Sequence, residues 1–370
     1  MKIFYDYQAL SGQNFGGVSR IYTELNRYLS VEHNISNGLI YSDNHYANGV
    51  ISNLKHLSPQ FNSKYRGKVQ NVINRTYSIK QLISNKYDIV HPTYYGTYFL
   101  PFLNKETPYV VTLLDMIHES GLGSLLKTKD RTAERKLLIC QKAKKVIAIS
   151  ESTKIEFLKF YPDFDSSKIE VVHLANSLRR NTFKEDETKV PNLPEKYILF
   201  VGRRWYYKNF NKIISIIKNL LLDSKDLHFV CAGGGEFTGE EVKFIKDCKL
   251  SSKIIHIPFN DDNTLSYLYK SALFFTFPSQ NEGFGIPVLE SFSCGCPALL
   301  NNMTSLPEIG GEAASYFNID NKVDTLNSFE IMINNENLRK KLSIAGINRE
   351  KLFTWQKCAS EHINIYNKCT

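Results

Sequence analysis

Two carboxylates eight residues apart, Glu282 and Glu290, bracket the segment Gly283-Phe284-Gly285-Ile286-Pro287. Glycine has no Cβ to hold a ligand away from the backbone, and proline is tolerated in the first turn of a helix. The segment therefore reads as a loop entering a helix, where free N–H groups and the positive end of the helix dipole favour an anion such as phosphate. Glu282 falls in the loop and Glu290 about one turn inside the helix, so their carboxylates would meet different parts of one ligand. Two carboxylates could also be the acid and nucleophile of a glycoside hydrolase. The glycine turn and the helix start add an anion site that simple hydrolysis does not require.

Such a loop needs a sheet to carry it. Short β-branched or aromatic runs alternate with amphipathic stretches along the whole chain, the pattern of parallel sheets covered by helices. Strands are expected near 2–7, 38–41, 88–91, 109–113, 145–149 and 169–173, with helices at 17–30, 66–85, 124–142 and 151–160. The polar stretch 181–196, bracketed by Pro191 and Pro194, reads as a linker. A second series follows, with strands near 197–201, 227–232, 254–257, 273–277 and 297–300. From about 322 onward only helices are expected, the last near 350–368. The prediction is α/β: two doubly wound, Rossmann-like domains facing a cleft, 1–180 and 197–347, with 348–370 returning to the first. In such sheets ligands bind beyond the carboxyl ends of the strands.

The 370 residues carry 46 Lys and Arg against 37 Asp and Glu. The excess lies in residues 1–179, with 23 basic and 15 acidic side chains against 23 and 22 in the remainder. Lys127, Lys129, Arg131, Arg135, Lys136, Lys142, Lys144 and Lys145 form one basic stretch. Such a face suits an anionic lipid surface, a polyanionic substrate or plain solvent; no nucleic-acid reading module accompanies it. Seven scattered cysteines without a CxxC pair argue for reduced thiols. The early polar turn of the N-terminus and the lack of an apolar run of about 18 residues leave no export signal or membrane span. The expected location is cytoplasmic, with any membrane contact peripheral.

Glu282-Gly283-Phe284-Gly285 through Glu290 resembles the glutamate, seven residues, glutamate signature of retaining nucleotide-sugar glycosyltransferases of the GT-B fold, family four. Gly16-Gly17 after the first strand, Gly202-Arg203 with Lys208-Asn209, and Thr304 to Glu308 resemble further motifs of that family in the same order. The resemblance spans nearly the whole chain. It implies that Gly202, Arg203 and Lys208 hold the donor diphosphate, with Gly16 and Gly17 at its distal phosphate. Glu290 would hold the ribose, and Glu282 would face the hexose, helped by the backbone at Gly283, Phe284, Gly285 and Ile286. Either Arg203 or Arg204 could turn toward the diphosphate. Many relatives carry arginine where this chain has Tyr207. Relatives also often carry a His-Asp pair after the strand at 110–113, where this chain has Leu114-Asp115 and then His118; His118 either orients the sugar or caps and packs. Tyr94 or Tyr95 could form an acceptor wall, or simply pack.

Other motifs fail on context. Asp163-Phe164-Asp165 lies in a turn before a strand, and Gly233-Gly234-Gly235 lacks dinucleotide-motif spacing. Cys294-Gly295-Cys296 is too short and isolated for zinc. The expectation is a metal-independent, cofactor-free retaining hexosyltransferase, with GDP-mannose as the favoured donor on resemblance alone. Its acceptor would be a glycan or lipid-linked glycan, and its oligomeric state is left open. The alternatives are a nucleotide-sugar epimerase of similar build and a non-catalytic, two-lobed sugar-binding protein.

Overall fold

The computed structural model describes residues 1–11, 16–52, 54–57, 63–121, 131–178, 193–204, 206–259 and 261–370. Two compact units emerge: Met1–Leu174 together with Trp355–Thr370, and Ala175–Thr354. Most of the expected linker, residues 181–192, lies outside the described residues, as do residues 124–130 of the helix expected at 124–142.

In the first unit, β1 (Lys2–Tyr5) leads through α1 (Gln8–Ser11) and α2 (Gly17–Leu29) to β2 (Asn34–Asn37), and then through α3 (Ser63–Ser84) to β3 (Ile89–His91). Next come β4 (Val110–Leu113), α4 (Thr132–Lys142), β5 (Lys145–Ala148), α5 (Glu151–Phe160) and β6 (Ile169–Val171). The strands form parallel sheets ordered β2-β1-β3 and β4-β5-β6, linked by a parallel bridge between Val90 and Tyr109. The chain leaves β1 for β2 on one side and returns to β3 on the other. That reversal opens a crevice beyond the ends of β1 and β3.

The strand expected at 38–41 instead occupies 34–37. Polar Asn34–Asn37 suits the sheet edge beside β1, whereas Leu39 turns into a satellite core with Tyr7, Leu10, Ala47 and Ile51.

The second unit runs β7 (Lys196–Val201), α6 (Phe210–Asp223), β8 (Leu227–Ala232), α7 (Gly239–Asp247), β9 (Ile254–Ile257), α8 (Asp262–Ser271) and β10 (Phe274–Phe277). It continues through α9 (Ile286–Ser293), β11 (Ala298–Asn301), α10 (Leu306–Gly310), β12 (Ala314–Phe317), α11 (Lys322–Asn334) and α12 (Glu336–Glu350). One parallel sheet of order β12-β11-β10-β7-β8-β9 results, with its switch point between β7 and β10. β12 went unread in the sequence because Ala314-Ser315-Tyr316-Phe317 has no β-branched residue; Phe317 nonetheless enters the core with Phe274 and Phe329.

The final helix, α13 (Trp355–Asn367), belongs to the first unit, and the return begins at Trp355 rather than 348. Residue Arg349 stays with the second unit, donating to the carbonyls of Ile309 and Glu308 at 2.5 Å each. Helix α13 packs on α2 and buries Tyr366, whose hydroxyl meets His91 Nδ1 at 2.6 Å and the Tyr5 hydroxyl at 3.1 Å.

Candidate active site

The switch point of the second unit brings together the loops after β7 and β10. Leaving β7, the chain passes through Gly202 and two arginines that part company. Arg204 turns inward: its guanidinium donates to Glu241 Oε1 at 2.9 Å and to the carbonyls of Gly233, Gly235 and Glu236 at 3.2, 2.8 and 2.9 Å. It also lies 4.7 Å from the Phe237 ring centroid. Arg204 is thus committed to the loop after β8, while Arg203 is exposed at the rim of a cavity of about 420 Å3 that Tyr206, Asn209 and Lys212 also line. Gly234 is required by close approach, because a Cβ there would lie 2.5 Å from the Gly202 carbonyl oxygen.

Lys208 lies just before α6 (Phe210–Asp223) rather than in it. It ends a 3-10 turn, Tyr206–Lys208, and Asn209 caps the helix in the left-handed region with φ 54°. The Asn209 side chain donates to the Pro278 carbonyl at 3.0 Å, and Gln280 N–H donates to the Tyr207 carbonyl at 2.7 Å. These two bonds stitch the β7 loop to the β10 loop. Between them the Lys208 ammonium forms an ion pair with Glu282 and lies 4.5 Å from the Phe277 ring centroid. Both partners are only 13% and 14% exposed, so the pair is far less screened by solvent than a surface contact. Tyr207, at the position where the resemblance led one to look for arginine, is buried with its ring 5.3 Å from the same ammonium.

The loop carrying Glu282 is held from a third element. Thr304 Oγ1 accepts from Glu282 N–H at 3.1 Å, Ser305 Oγ donates to the carbonyls of Glu282 and Phe284 at 2.9 and 3.0 Å, and Asn301 Nδ2 donates to the Ser279 carbonyl at 3.0 Å. Gly285, with φ 95°, then turns the chain into α9, and Pro287 sits in the first turn. Glu290 lies beyond that turn, buried, and its Oε2 accepts from the Tyr269 hydroxyl at 3.2 Å. Burial and the neighbouring Glu290 charge push the Tyr269 hydroxyl well above its ordinary pKa, so it remains a donor. The backbone of Gly283 and Phe284 and half-buried Ile286 complete the segment; the Phe284 ring packs edge-on against Phe353.

In the first unit, Gly16 and Gly17 begin α2, and the Ser19 hydroxyl donates to the Gly16 carbonyl at 2.9 Å. Asp115 and His118 share the turn after β4, with Asp115 Oδ1 accepting from Ile117 N–H at 3.1 Å and lying 4.0 Å from His118 Nδ1. The expected acceptor wall is corrected at Tyr95. That side chain is 2% exposed, and its hydroxyl accepts from Leu114 N–H at 2.8 Å, so its ring cannot stack on a sugar. Tyr94 is half-buried and rests 4.7 Å from the Tyr95 ring.

Two functional supports escaped the sequence reading. Lys136, read there as part of a basic face, is fully buried; its ammonium donates to Glu119 Oε2 at 2.8 Å and to the Asp115 carbonyl at 2.6 Å, and lies 4.9 Å from the Tyr95 ring centroid. The available signal was its spacing with Thr132, Ile139 and Cys140, which share the buried side of α4. The second is Asp6, 1% exposed at the end of β1, which accepts from Thr93 N–H and Oγ1, Gln8 N–H and Nε2, and the Tyr98 hydroxyl. Burial raises its pKa against the lowering effect of those bonds. Asp165 caps a 3-10 turn through Ser167 N–H at 3.0 Å, in keeping with a loop role for the DxD sequence. Among the described residues no group of three His, Cys, Asp or Glu could hold a metal ion.

Comparison with known proteins bears on the family and the fold. Residues 15–176 match the family model described as Glycosyltransferase Family 4, and residues 181–349 match Glycosyl transferases group 1. O-antigen chain mannosyltransferase B of Escherichia coli is 24% identical over 241 residues, 60% of each chain. O-antigen chain mannosyltransferase RfbU of Salmonella typhimurium is 30% identical over 182 residues, 49% of each. The aligned stretch thus spans about half to three-fifths of the length of these two relatives. Among solved structures, sucrose-phosphate synthase from Thermosynechococcus elongatus superposes with a TM-score of 0.76 at 15% identity, covering 99% of this chain and 98% of that one. HepE of Anabaena, in complex with UDP and glucose, gives 0.75 at 14% identity with full coverage of both chains. Two consecutive family matches, on two Rossmann-like units whose switch-point loops carry the motifs, lead to one conclusion: the chain belongs to the glycosyltransferases of the GT-B fold.

Proposed function

We propose that the chain is a retaining, metal-independent hexosyltransferase that moves a hexose, mannose in the favoured case, from a nucleoside diphosphate sugar to a hydroxyl of a glycan or lipid-linked oligosaccharide during surface polysaccharide synthesis. GDP-mannose is the favoured donor, and the mannosyltransferase relatives support that choice. The observation that carries the reading is the Lys208–Glu282 ion pair at the switch point, beside the start of α9 and the exposed Arg203. Buried Ser279 Oγ and Asn281 Oδ1, which have no hydrogen-bond partner among the described residues, add support, since such atoms are costly unless a polar ligand meets them.

In this reading Lys208, Arg203 and the first amides of α9 spread the charge that develops on the departing diphosphate. The bond from the anomeric carbon to the diphosphate oxygen breaks while the bond to the acceptor oxygen forms on the same face. The acceptor's proton passes to the departing phosphate oxygen. Glu282 holds Lys208 in place and faces the hexose without forming a covalent bond to it. Glu290 takes the ribose hydroxyls, and Gly16 and Gly17 approach the distal phosphate. Asp115 and His118 bear on the transferred sugar, and Tyr94 remains the acceptor-facing aromatic. A lipid-linked acceptor would be met at the cytoplasmic face of an anionic membrane; no helix among the described residues is long and apolar enough to cross one.

The test is Lys208→Ala with saturating GDP-mannose and a glycan acceptor, following GDP release and the anomeric configuration of the product. Loss of one preorganised donor lowers kcat by about 100–1,000-fold. An unchanged rate refutes the assignment, and release of an altered sugar nucleotide without acceptor would make the chain an epimerase.

A further inference from the structure

The end of the first unit opposite its substrate-facing loops carries a second concentration of charge. Segments entering β4, β5 and β6 enclose a groove of about 800 Å3, and Lys105, Lys142, Lys144, Lys145 and Lys168 line it with a single carboxylate, Glu106. Two of these lysines are structural. Lys145 donates to the Ser167 carbonyl at 2.9 Å and pairs with Glu170 at 3.2 Å, and Lys168 donates to the carbonyls of Gln141 and Ala143 at 3.0 and 3.3 Å. The other three, Lys105, Lys142 and Lys144, are exposed, and none of them forms an ion pair among the described residues. Glu170 is already shared by Lys145 and Lys368. Like charges gathered without counter-charge repel one another, and an external anion relieves that repulsion.

The same rim presents an apolar turn. Leu100–Phe102 forms a 3-10 turn in which Pro101 is exposed and Phe102 is 38% exposed, while Leu100 and Leu103 line the groove. The turn is firmly based: Phe102 N–H donates to the Phe99 carbonyl at 2.9 Å, and buried Phe99 packs edge-on against Tyr109 at 5.3 Å. A soluble polyanion has no use for an exposed proline and phenylalanine beside its ammonium partners. A bilayer uses both, phosphates for the lysines and the headgroup boundary for the ring.

We propose that this end of the first unit docks on an anionic bilayer, with Lys105, Lys142 and Lys144 meeting lipid phosphates and Pro101 and Phe102 entering the headgroup region. This assigns a face to the membrane contact in the proposed function and rests on that reading only for its biological sense. Because the groove lies at the amino ends of the strands, docking leaves the Asp115–His118 turn at the carboxyl end of β4 uncovered.

Flotation of the full chain with phosphatidylcholine vesicles, with and without phosphatidylglycerol, tests the proposal. Wild-type protein should float only with the anionic vesicles. Replacing Lys105, Lys142 and Lys144 by Gln together should weaken partitioning about a hundredfold, at roughly fivefold per lysine near the surface. Phe102→Ser should weaken it severalfold with all lysines present. Both variants should keep the wild-type melting temperature and transfer rate on a water-soluble acceptor, so a failure of docking and a failure of the transferase reading register in different assays. Equal flotation of the triple variant and wild type would overturn the proposal. So would an inert Phe102→Ser together with complete displacement by inorganic tripolyphosphate, which would make the groove a soluble-anion site.

Discussion

Lys136→Met tests whether the turn bearing Asp115 and His118 is held by a buried charge. In the wild type the ammonium is fully enclosed, Glu119 is 2% exposed, and a third contact reaches the Asp115 carbonyl. Methionine keeps the length and apolar body of the stem but leaves the Glu119 carboxylate without its counter-charge, and Glu119 Oε1 already has no hydrogen-bond partner among the described residues. Removing one partner of a buried pair costs about 3–5 kcal/mol. For a unit of this size each kcal/mol lowers the melting temperature by about 2–4 °C, so a fall of roughly 6–20 °C is expected for the first unit. Scanning calorimetry of the full chain would measure it, with hydrogen exchange in β4 and α4 identifying which unit has melted. Adding Glu119→Gln should recover part of the loss, because a neutral pair carries a much smaller desolvation penalty. Both variants should be slower in transfer than wild type, since in each the Asp115 carbonyl lacks its donor. A single variant within about 1 kcal/mol of wild type would refute the reasoning, that being the value of a surface ion pair.

Acid should loosen the same unit by a separate route. His91 lies buried beneath α13 and His362 on the buried face of that helix, and burial depresses both pKa values, His362 to about 4. The unfolded chain therefore binds protons that the folded chain refuses, so stability is fully present above about pH 6.5 and falls as pH drops toward 4; urea unfolding across that interval should show the decline, and His362→Gln should flatten it. At the second site, Gly285→Ala puts a Cβ on a residue with φ 95° and within 3.1 Å of Leu306 Cδ2. A loss of about 1–3 kcal/mol and a smaller donor-dependent thermal shift should result, and an unaltered shift would show that the start of α9 does not meet the donor.

Legibility in the sequence followed the range of the interaction. Strands such as Phe274–Phe277 and Lys196–Val201 announce themselves as apolar runs, so the loops after them, and with them Glu282 and Lys208, could be located in advance. Which of two adjacent arginines points inward could not, because that choice depends on Glu241 and the carbonyls of the β8 loop, about thirty residues away. Tyr95 stayed open between stacking and packing because its ring is visible in sequence, whereas the Leu114 amide that donates to its hydroxyl is not. Lys136 was hidden by its own residue type. Lysine on a helix is normally solvated, and only the company of Thr132, Ile139 and Cys140 on the buried face reveals the exception. The shift of β2 to Asn34–Asn37 has the same character, since edge strands need backbone pairing more than apolar side chains, and Leu39 had a better place to go.

The charge balance at the switch point constrains how Glu282 can act. A carboxylate next to a departing diphosphate would by itself raise the energy of the negative charge that bond breaking creates. Paired with Lys208 it does not, because the two together are close to neutral. In the proposed mechanism the carboxylate would fix the ammonium between itself and the phosphate, and the 13–14% exposure of the pair keeps that fixing from being screened away. The pairing also weakens Glu282 as a nucleophile, since a carboxylate would have to give up the ion pair before attacking an anomeric carbon. In the proposed mechanism Arg203 and the amides of α9 would join Lys208 at the diphosphate, on loops that neighbouring elements hold in place: Arg204 braces the β8 loop, while Ser305 and Asn301 brace the β10 loop. Preorganised charge of this kind favours the transition state over the bound donor, because the surroundings need not reorient as the negative charge moves onto the departing oxygen.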